Sequence, residues 1–265
     1  MRLAILSNAG GSGKTTLASH LAYLLAKKGY SVALLDLDPQ GSVSLFCGLS
    51  RPEANQTIAT VLSDDFSGKW PLSPLWEESV NNVVACQGEL TLVKTISELT
   101  HHPRGAYLLN DRLLDYPLSQ QIVIFDCPAT LGPLSTIAIS ASTHILIPIQ
   151  VEPKSIDGSA KLLEWIYHTC GLLRLNPFPL IMGVVPNQYD QRVAIHRNIL
   201  EQINPLLQQL NIHCFEPIRY SSEFKNASSK GLPIHLYRPA HAAGKDFYPI
   251  IKSLISQLAQ EETNE

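Results

Sequence analysis

The chain has 265 residues, 45% of them hydrophobic, with 20 Lys and Arg against 23 Asp and Glu and a formal net charge of −3. That length accommodates one large α/β domain, read here as residues 1–265, and no apolar run is long enough to span a bilayer. Five scattered cysteines (Cys47, Cys86, Cys127, Cys170, Cys214) never fall as Cys-x-x-Cys, and the N-terminus lacks a basic segment leading into an apolar core. Reduced thiols and a cytoplasmic location are expected, without disulfides, a zinc site or a signal peptide.

In chain order, Leu3–Leu6 reads as a buried strand and Leu17, Leu21, Leu24 and Leu25 as an apolar helical stripe. Between them lies Asn8-Ala9-Gly10-Gly11-Ser12-Gly13-Lys14-Thr15-Thr16. Glycines at a strand-to-helix turn let backbone N–H groups converge on a phosphate, where the helix N-terminus adds its positive end. Lys14 then reaches the β- and γ-phosphates and the Thr15 hydroxyl ligates Mg²⁺. Lys27-Lys28-Gly29 stops the helix. Ser31–Asp36 is a second strand, and Asp36-Leu37-Asp38-Pro39-Gln40-Gly41-Ser42 places carboxylates at its C-terminal end beside the phosphate loop.

Beyond residue 50 the pattern is weaker. Ala54–Leu62 reads as a short helix, Ser63–Pro74 as a loop, Val80–Cys86 as a short strand, and Leu90–Leu99 and Tyr107–Leu114 as helices. Trp70 and Trp76, beside prolines, are expected to anchor packing. Gln121–Asp126 is an apolar strand ending in an acid, which brings Asp126 to the hydration shell of Mg²⁺. His144–Gln150 is another strand, followed by a helix over Ile156–Leu173. Leu180–Val185 precedes Asn187, Gln191–Leu210 is a long amphipathic helix, 212–218 a last short strand and Gly244–Leu258 a final helix with a core-facing stripe. Strands alternating with helices, with phosphate chemistry at strand ends, give an α/β fold: a doubly wound, mostly parallel sheet with helices on both faces.

Charge is uneven. Residues 170–252 carry 9 Lys or Arg against 5 Asp or Glu, whereas residues 1–169 carry 11 against 15, and the last thirteen hold only Glu261, Glu262 and Glu265. The basic third is either a DNA-facing surface or an ordinary scatter of solvated charge.

The glycine stretch, the Asp36–Ser42 segment and the strand ending at Asp126 together resemble the deviant Walker boxes of the ParA/MinD ATPases, a P-loop NTPase family. The resemblance covers almost the whole chain and is weakest at 50–115. It implies ATP and Mg²⁺ as cofactors, with Gly10, Gly11, Ser12, Gly13, Lys14, Thr15 and Thr16 on the phosphates and Thr15 and Asp126 on the metal. By the same match Asp38 orients the attacking water, Ser42 lies in a first switch segment, and Asn187 reads the adenine. The family's signature lysine, which crosses a dimer interface, falls at Ala9. Lys154, in the loop after the fifth strand, is the candidate to replace it. The resemblance further implies an ATP-dependent homodimer, non-specific DNA binding through residues such as Arg192, Arg197, Arg219, Lys225, Lys230, Arg238 and Lys245, a nucleoid-associated location, and a cargo adaptor that stimulates hydrolysis. A stable membrane association is not expected. A missing signature lysine is similar to the carboxysome-positioning branch; plasmid partition, a metabolic phosphate-transfer ligase and a membrane oscillator are the alternatives.

Overall fold

Along Arg2–Leu6, alternate side chains point to opposite sides, and both sides are apolar. Leu3 and Ile5 join one cluster of buried side chains, Ala4 and Leu6 the other. The same alternation holds in Val32–Leu37 and Ile122–Cys127, where every residue is buried. A strand hydrophobic on both faces belongs in the middle of a parallel sheet covered by helices on both sides.

The computed structural model describes residues 1–264. In chain order the first elements are β1 (Arg2–Ile5), α1 (Lys14–Lys27), β2 (Val32–Asp36), α2 (Ser42–Cys47), α3 (Ile58–Val61), β3 (Ser73–Pro74) and β4 (Val83–Cys86). Then come α4 (Leu92–His101), α5 (Leu108–Asp115), β5 (Ile122–Asp126), α6 (Pro133–Ala141), β6 (His144–Gln150), α7 (Lys154–Leu172) and β7 (Leu180–Asn187). The chain ends with α8 (Ala194–Gln209), α9 (Glu223–Ser228), α10 (Ile234–Tyr237) and α11 (Tyr248–Asn264).

The strands form one sheet in the order β3-β4-β2-β5-β1-β6-β7, parallel throughout except for β3 at the edge. α1 links β1 to β2 and packs on one face with α11. α6 links β5 to β6 on the opposite face, where α4, α5, α7 and α8 also lie. The two connections leave β1 and β5 on opposite sides of the sheet, which opens a crevice at the C-terminal ends of those neighbouring strands.

Core placement of α11 matches its sequence pattern: Ile250, Ile251, Leu254 and Leu258 are buried against the α1 side of the sheet. One polar side chain ties the two helices' neighbourhood together. His20 of α1 is buried, and its Nε2 accepts the Ile234 N–H at 3.0 Å. Nδ1 must therefore carry the proton, which it donates to the Thr16 carbonyl at 2.6 Å. The ring stacks on Phe247 with centroids 4.7 Å apart. Burial depresses its pKa to about 3, so the imidazole is neutral.

Several local expectations are corrected. The helix expected over Ala54–Leu62 is the single turn α3, opened by Thr57 and preceded by irregular chain. The helix expected from Gln191 begins at Ala194, because Asp190 turns the chain by accepting from the Arg192 N–H. Residues 212–218 do not form a regular strand: they meet β7 at the isolated bridge of Val184 with Cys214 and through the Ile218 N–H, which donates to the Pro186 carbonyl at 2.8 Å, and Pro217 has no N–H to fill the ladder between them. The final helix starts at Tyr248 after a 3₁₀ turn over Ala242–Phe247. Trp70 and Trp76 do anchor packing, their indole N–H groups donating to the carbonyls of Tyr116 and Gly231.

Candidate nucleotide site

Three strand ends converge in the crevice. The loop after β1 turns through Gly11 at φ +76° and Gly13 at φ +87°, a region that L side chains rarely adopt. A methyl group on Gly13 would also lie 2.0 Å from Asn187 Nδ2, so the second requirement for glycine is space. α1 then starts at Lys14, with no acidic residue in its first turn to cancel the positive end of its dipole.

Lys14 is 7% exposed, and its ammonium donates to the Ala9 carbonyl at 3.3 Å. Burial lowers its pKa, against the raising influence of Asp126, Cys127 and Asp38. The Thr15 hydroxyl donates to Asp126 Oδ2 at 2.6 Å. Asp126 Oδ1 and the Ser12 hydroxyl are buried without a partner. A buried acceptor and a buried hydroxyl facing a glycine loop suit a hydrated cation and a phosphate oxygen, respectively, so the residues present fit Mg²⁺ and a nucleotide triphosphate.

Burial raises the Asp126 pKa to about 7, with Thr15 and Lys14 opposing the shift and Asp38 adding to it. Its register partner on β2, Asp36, is fully buried and pushed well above the usual carboxylate range by burial and by Asp126. An acid whose pKa is raised on folding costs stability once the pH exceeds its unfolded pKa, and the cost is complete above the folded pKa. The nucleotide-free Asp126→Asn protein is therefore expected to unfold at higher temperature than the parent at pH 8. The gain, on the order of 2–4 kcal/mol, should shrink through pH 7 and vanish near pH 4. Thermal unfolding across that range checks it, and an equal gain at every pH would refute the cause given.

Asp38 stands at the crevice with Oδ1 accepting the Gln40 N–H at 2.9 Å. Asp36 holds the loop from below, accepting from the Asp38 N–H at 3.0 Å and the Val43 N–H at 3.1 Å. Asn187, at the end of β7, is buried. Its amide donates to the Ser12 carbonyl at 2.9 Å and accepts the Gln188 N–H at 2.9 Å, so here it braces the glycine loop. Gln188 adds a bond from Nε2 to the Gly11 carbonyl, and Gln150 donates to Gln188 Oε1 at 3.3 Å.

Ala9 and Lys154 line one cavity of about 160 Å³ with Ser7, Asn8, Gln150 and Gly158. Asn8, where the strict phosphate-loop pattern has glycine, donates to the Gly158 carbonyl of α7 at 3.0 Å. Lys154 opens α7; its side chain is 71% exposed and pairs with Glu152 at 3.1 Å. Sequence reading thus brought Gly10–Thr16, Asp38 and Asp126 to the crevice and Lys154 to its rim. Asp36, Gln87, Gln150 and Gln188 received no role, although polar residues closing apolar strands are the signal that marks them.

This arrangement defines the class: a P-loop nucleoside triphosphatase. Residues 1–173 match the family model described as an AAA domain. The chain is 30% identical to the chromosome partitioning protein ParA of Myxococcus xanthus (strain DK1622) over 239 residues, 89% of this chain and 81% of that one. Among solved structures it is similar to Cyanothece McdA in complex with ATP, with a TM-score of 0.83, 23% identity and coverage of 96% and 95% of the two chains. It is also similar to the septum site-determining protein MinD of Pyrococcus horikoshii OT3 complexed with Mg-ADP, with a TM-score of 0.74, 18% identity and coverage of 96% and 95%. The chain belongs to the ParA/MinD family of ATPases.

Proposed function

We propose that this ATPase, a single domain over residues 1–265, closes with ATP into a homodimer that binds chromosomal DNA without sequence preference and positions a cargo, carboxysomes, through an adaptor that stimulates hydrolysis. The observation that carries the reading is the pairing of Ala9 with an exposed Lys154 across one cavity. Two bound triphosphates brought face to face repel one another, so a dimer needs a cation at the interface. Alanine supplies none, and Lys154 is held only by an exposed ion pair that contributes little and is readily exchanged.

In this reading the N–H groups of Gly10, Gly11, Ser12 and Gly13 cradle the phosphates, Lys14 neutralises the β- and γ-phosphates, and Thr16 meets the α-phosphate. Thr15 and, through water, Asp126 would hold Mg²⁺, which when bound neutralises charge on the phosphate oxygens. Asp38 orients the attacking water. Asn187 contributes to adenine recognition with the N–H and lone pair left over from bracing the loop.

The basic residues of the proposed DNA-facing set differ in what each must give up to meet a phosphate. Arg192, Arg219 and Arg238 are paired with Asp190, Asp246 and Glu223, and Arg197 donates to the Gln191 carbonyl. Lys225, Lys230 and Lys245 have no ion pair among the described residues, so we assign DNA contact first to these three. Among the described residues no helix is long and apolar enough to cross a membrane.

A gel shift with arbitrary duplex DNA, in Mg-ATP, in ADP and without nucleotide, tests the reading. Binding is expected only with ATP. Affinity should fall with salt at a log–log slope of about −0.9 per neutralised phosphate. No binding in any nucleotide state would remove the DNA-tethered mechanism and favour a small-molecule phosphate-transfer ligase. Dependence on a cargo-encoded centromere-binding protein instead of a carboxysome adaptor would favour plasmid partition.

A further inference from the structure

The segment from Asp38 to Ser50 contains the proposed water-orienting carboxylate and the short helix α2, and something must hold it in place. Asp38 itself is held weakly: its carboxylate accepts a single N–H, two residues along its own turn. Asp36 holds the start of the segment through the Asp38 and Val43 N–H groups, and the remaining frame comes from a loop that the ParA/MinD motifs do not include, Gln87-Gly88-Glu89, at the end of β4.

Gln87 is 5% exposed, and its amide nitrogen spends both protons on this segment. It donates to the Ser44 hydroxyl at 2.9 Å and to the Ser50 carbonyl at 2.8 Å, one bond on α2 and one just past its end. The backbone carbonyl of Gln87 accepts the Ile58 N–H at 2.9 Å, which anchors the loop to α3. Gly88 sits against the start of the segment. A methyl group there would lie 2.7 Å from the Asp38 carbonyl oxygen and 2.9 Å from Asp36 Cγ. In return, a methyl group on Gly41 would lie 2.7 Å from the Gly88 carbonyl oxygen. Glu89 completes the wall by pairing with Arg51, directly beyond the segment.

We infer that Gln87 and Gly88 are positioning residues for hydrolysis: they fix the Asp38 loop and α2 at the distance from the glycine loop that an in-line attack requires. Neither touches the nucleotide crevice through Lys14, Thr15 or Asp126, so their effect falls on the chemical step and spares ATP binding. Misplacement of a catalytic group by about 1 Å is enough to slow turnover on the order of 10²-fold. The inference rests on the assignment of Asp38 as the residue that orients the water.

The test is a double-mutant cycle in the full-length chain, with single-turnover hydrolysis of Mg-ATP and equilibrium binding of a fluorescent ATP analogue. Gln87→Leu is expected to lower the rate about tenfold or more while the ATP KM and the analogue Kd stay within twofold. In an Asp38→Ala background, Gln87→Leu should cause no further loss, because the group it positions is gone. An undiminished rate for Gln87→Leu overturns the inference, as does a fall that persists at full size in Asp38→Ala. A parental rate for Asp38→Ala alone instead overturns the Asp38 assignment, and the two failures are told apart by which single variant is silent. If Gln87→Leu does not fold, Ser44→Ala removes one acceptor of the same amide from the partly exposed side, with the same pattern expected at about threefold.

Discussion

Replacing Lys14 with alanine is expected to lower Mg-ATP turnover by about 10²–10³-fold or more. The ammonium is buried at the head of α1 and held within the field of Asp126 and Asp38. In a site from which water is largely excluded, one such charge aimed at the transferring phosphoryl group counts for far more than it would in water. Its present bond to the Ala9 carbonyl is a resting position, long at 3.3 Å and easily exchanged for a phosphate oxygen. Lys14→Arg should recover little, since a planar guanidinium does not fit a place shaped for a compact ammonium. Steady-state turnover with a parallel measurement of nucleotide affinity checks both variants, and parental turnover for Lys14→Ala would exclude the phosphate role.

Lys154→Ala is the second large effect. The monomer should bind ATP with unchanged affinity, yet ATP-dependent dimerisation, followed by light scattering or sedimentation, should be lost. Separating these readouts matters, because Lys154 also lines its own subunit's cavity beside Ala9. A lysine acting within one subunit would weaken nucleotide binding by the monomer; a lysine acting across the interface would not. Full dimerisation by Lys154→Ala would sink the replacement of the missing signature lysine altogether. Glu152 sets a control: it pairs with Lys154 in the free chain, so Glu152→Gln frees the lysine and should favour the dimer at low salt.

The parts of the fold that were legible in the sequence are those in which the signal is local. Apolar runs of four to seven residues marked the central strands, and the glycine loop announced the strand-to-helix turn at Lys14. α6 went unread because it follows directly on the Pro128–Gly132 loop and is buried over most of its surface, so it shows no amphipathic period. α2 is six residues long between two glycines at positive φ, too short to repeat a pattern. The run at 212–218 had strand composition, but its own Pro217 has no N–H to carry a continuous ladder to β7. The site divides in the same way. Lys14, Thr15 and Asp126 carry motif spacing, whereas the bracing of Ser12 by Asn187 joins residues 175 positions apart. Gln87 closes an apolar strand, which marks it as a polar strand end, but what it and Gly88 hold, α2 and the Asp38 loop, lies some 40 to 50 positions earlier, and nothing in their own neighbourhood names that target.

His20 bears on how this protein can be taken apart. Its ring donates to the carbonyl of Thr16, beside the phosphate loop, and accepts from Ile234, the first residue of α10. Such a two-ended plug belongs to both halves of the molecule. A chimera that takes its C-terminal third from a relative, while keeping this first helix, would have to present an N–H at the same place. Otherwise it would bury an imidazole nitrogen with nothing to accept, at a cost of about 1–3 kcal/mol. The tail is therefore not an interchangeable cartridge, and swaps of the C-terminal third should carry the first helix with them.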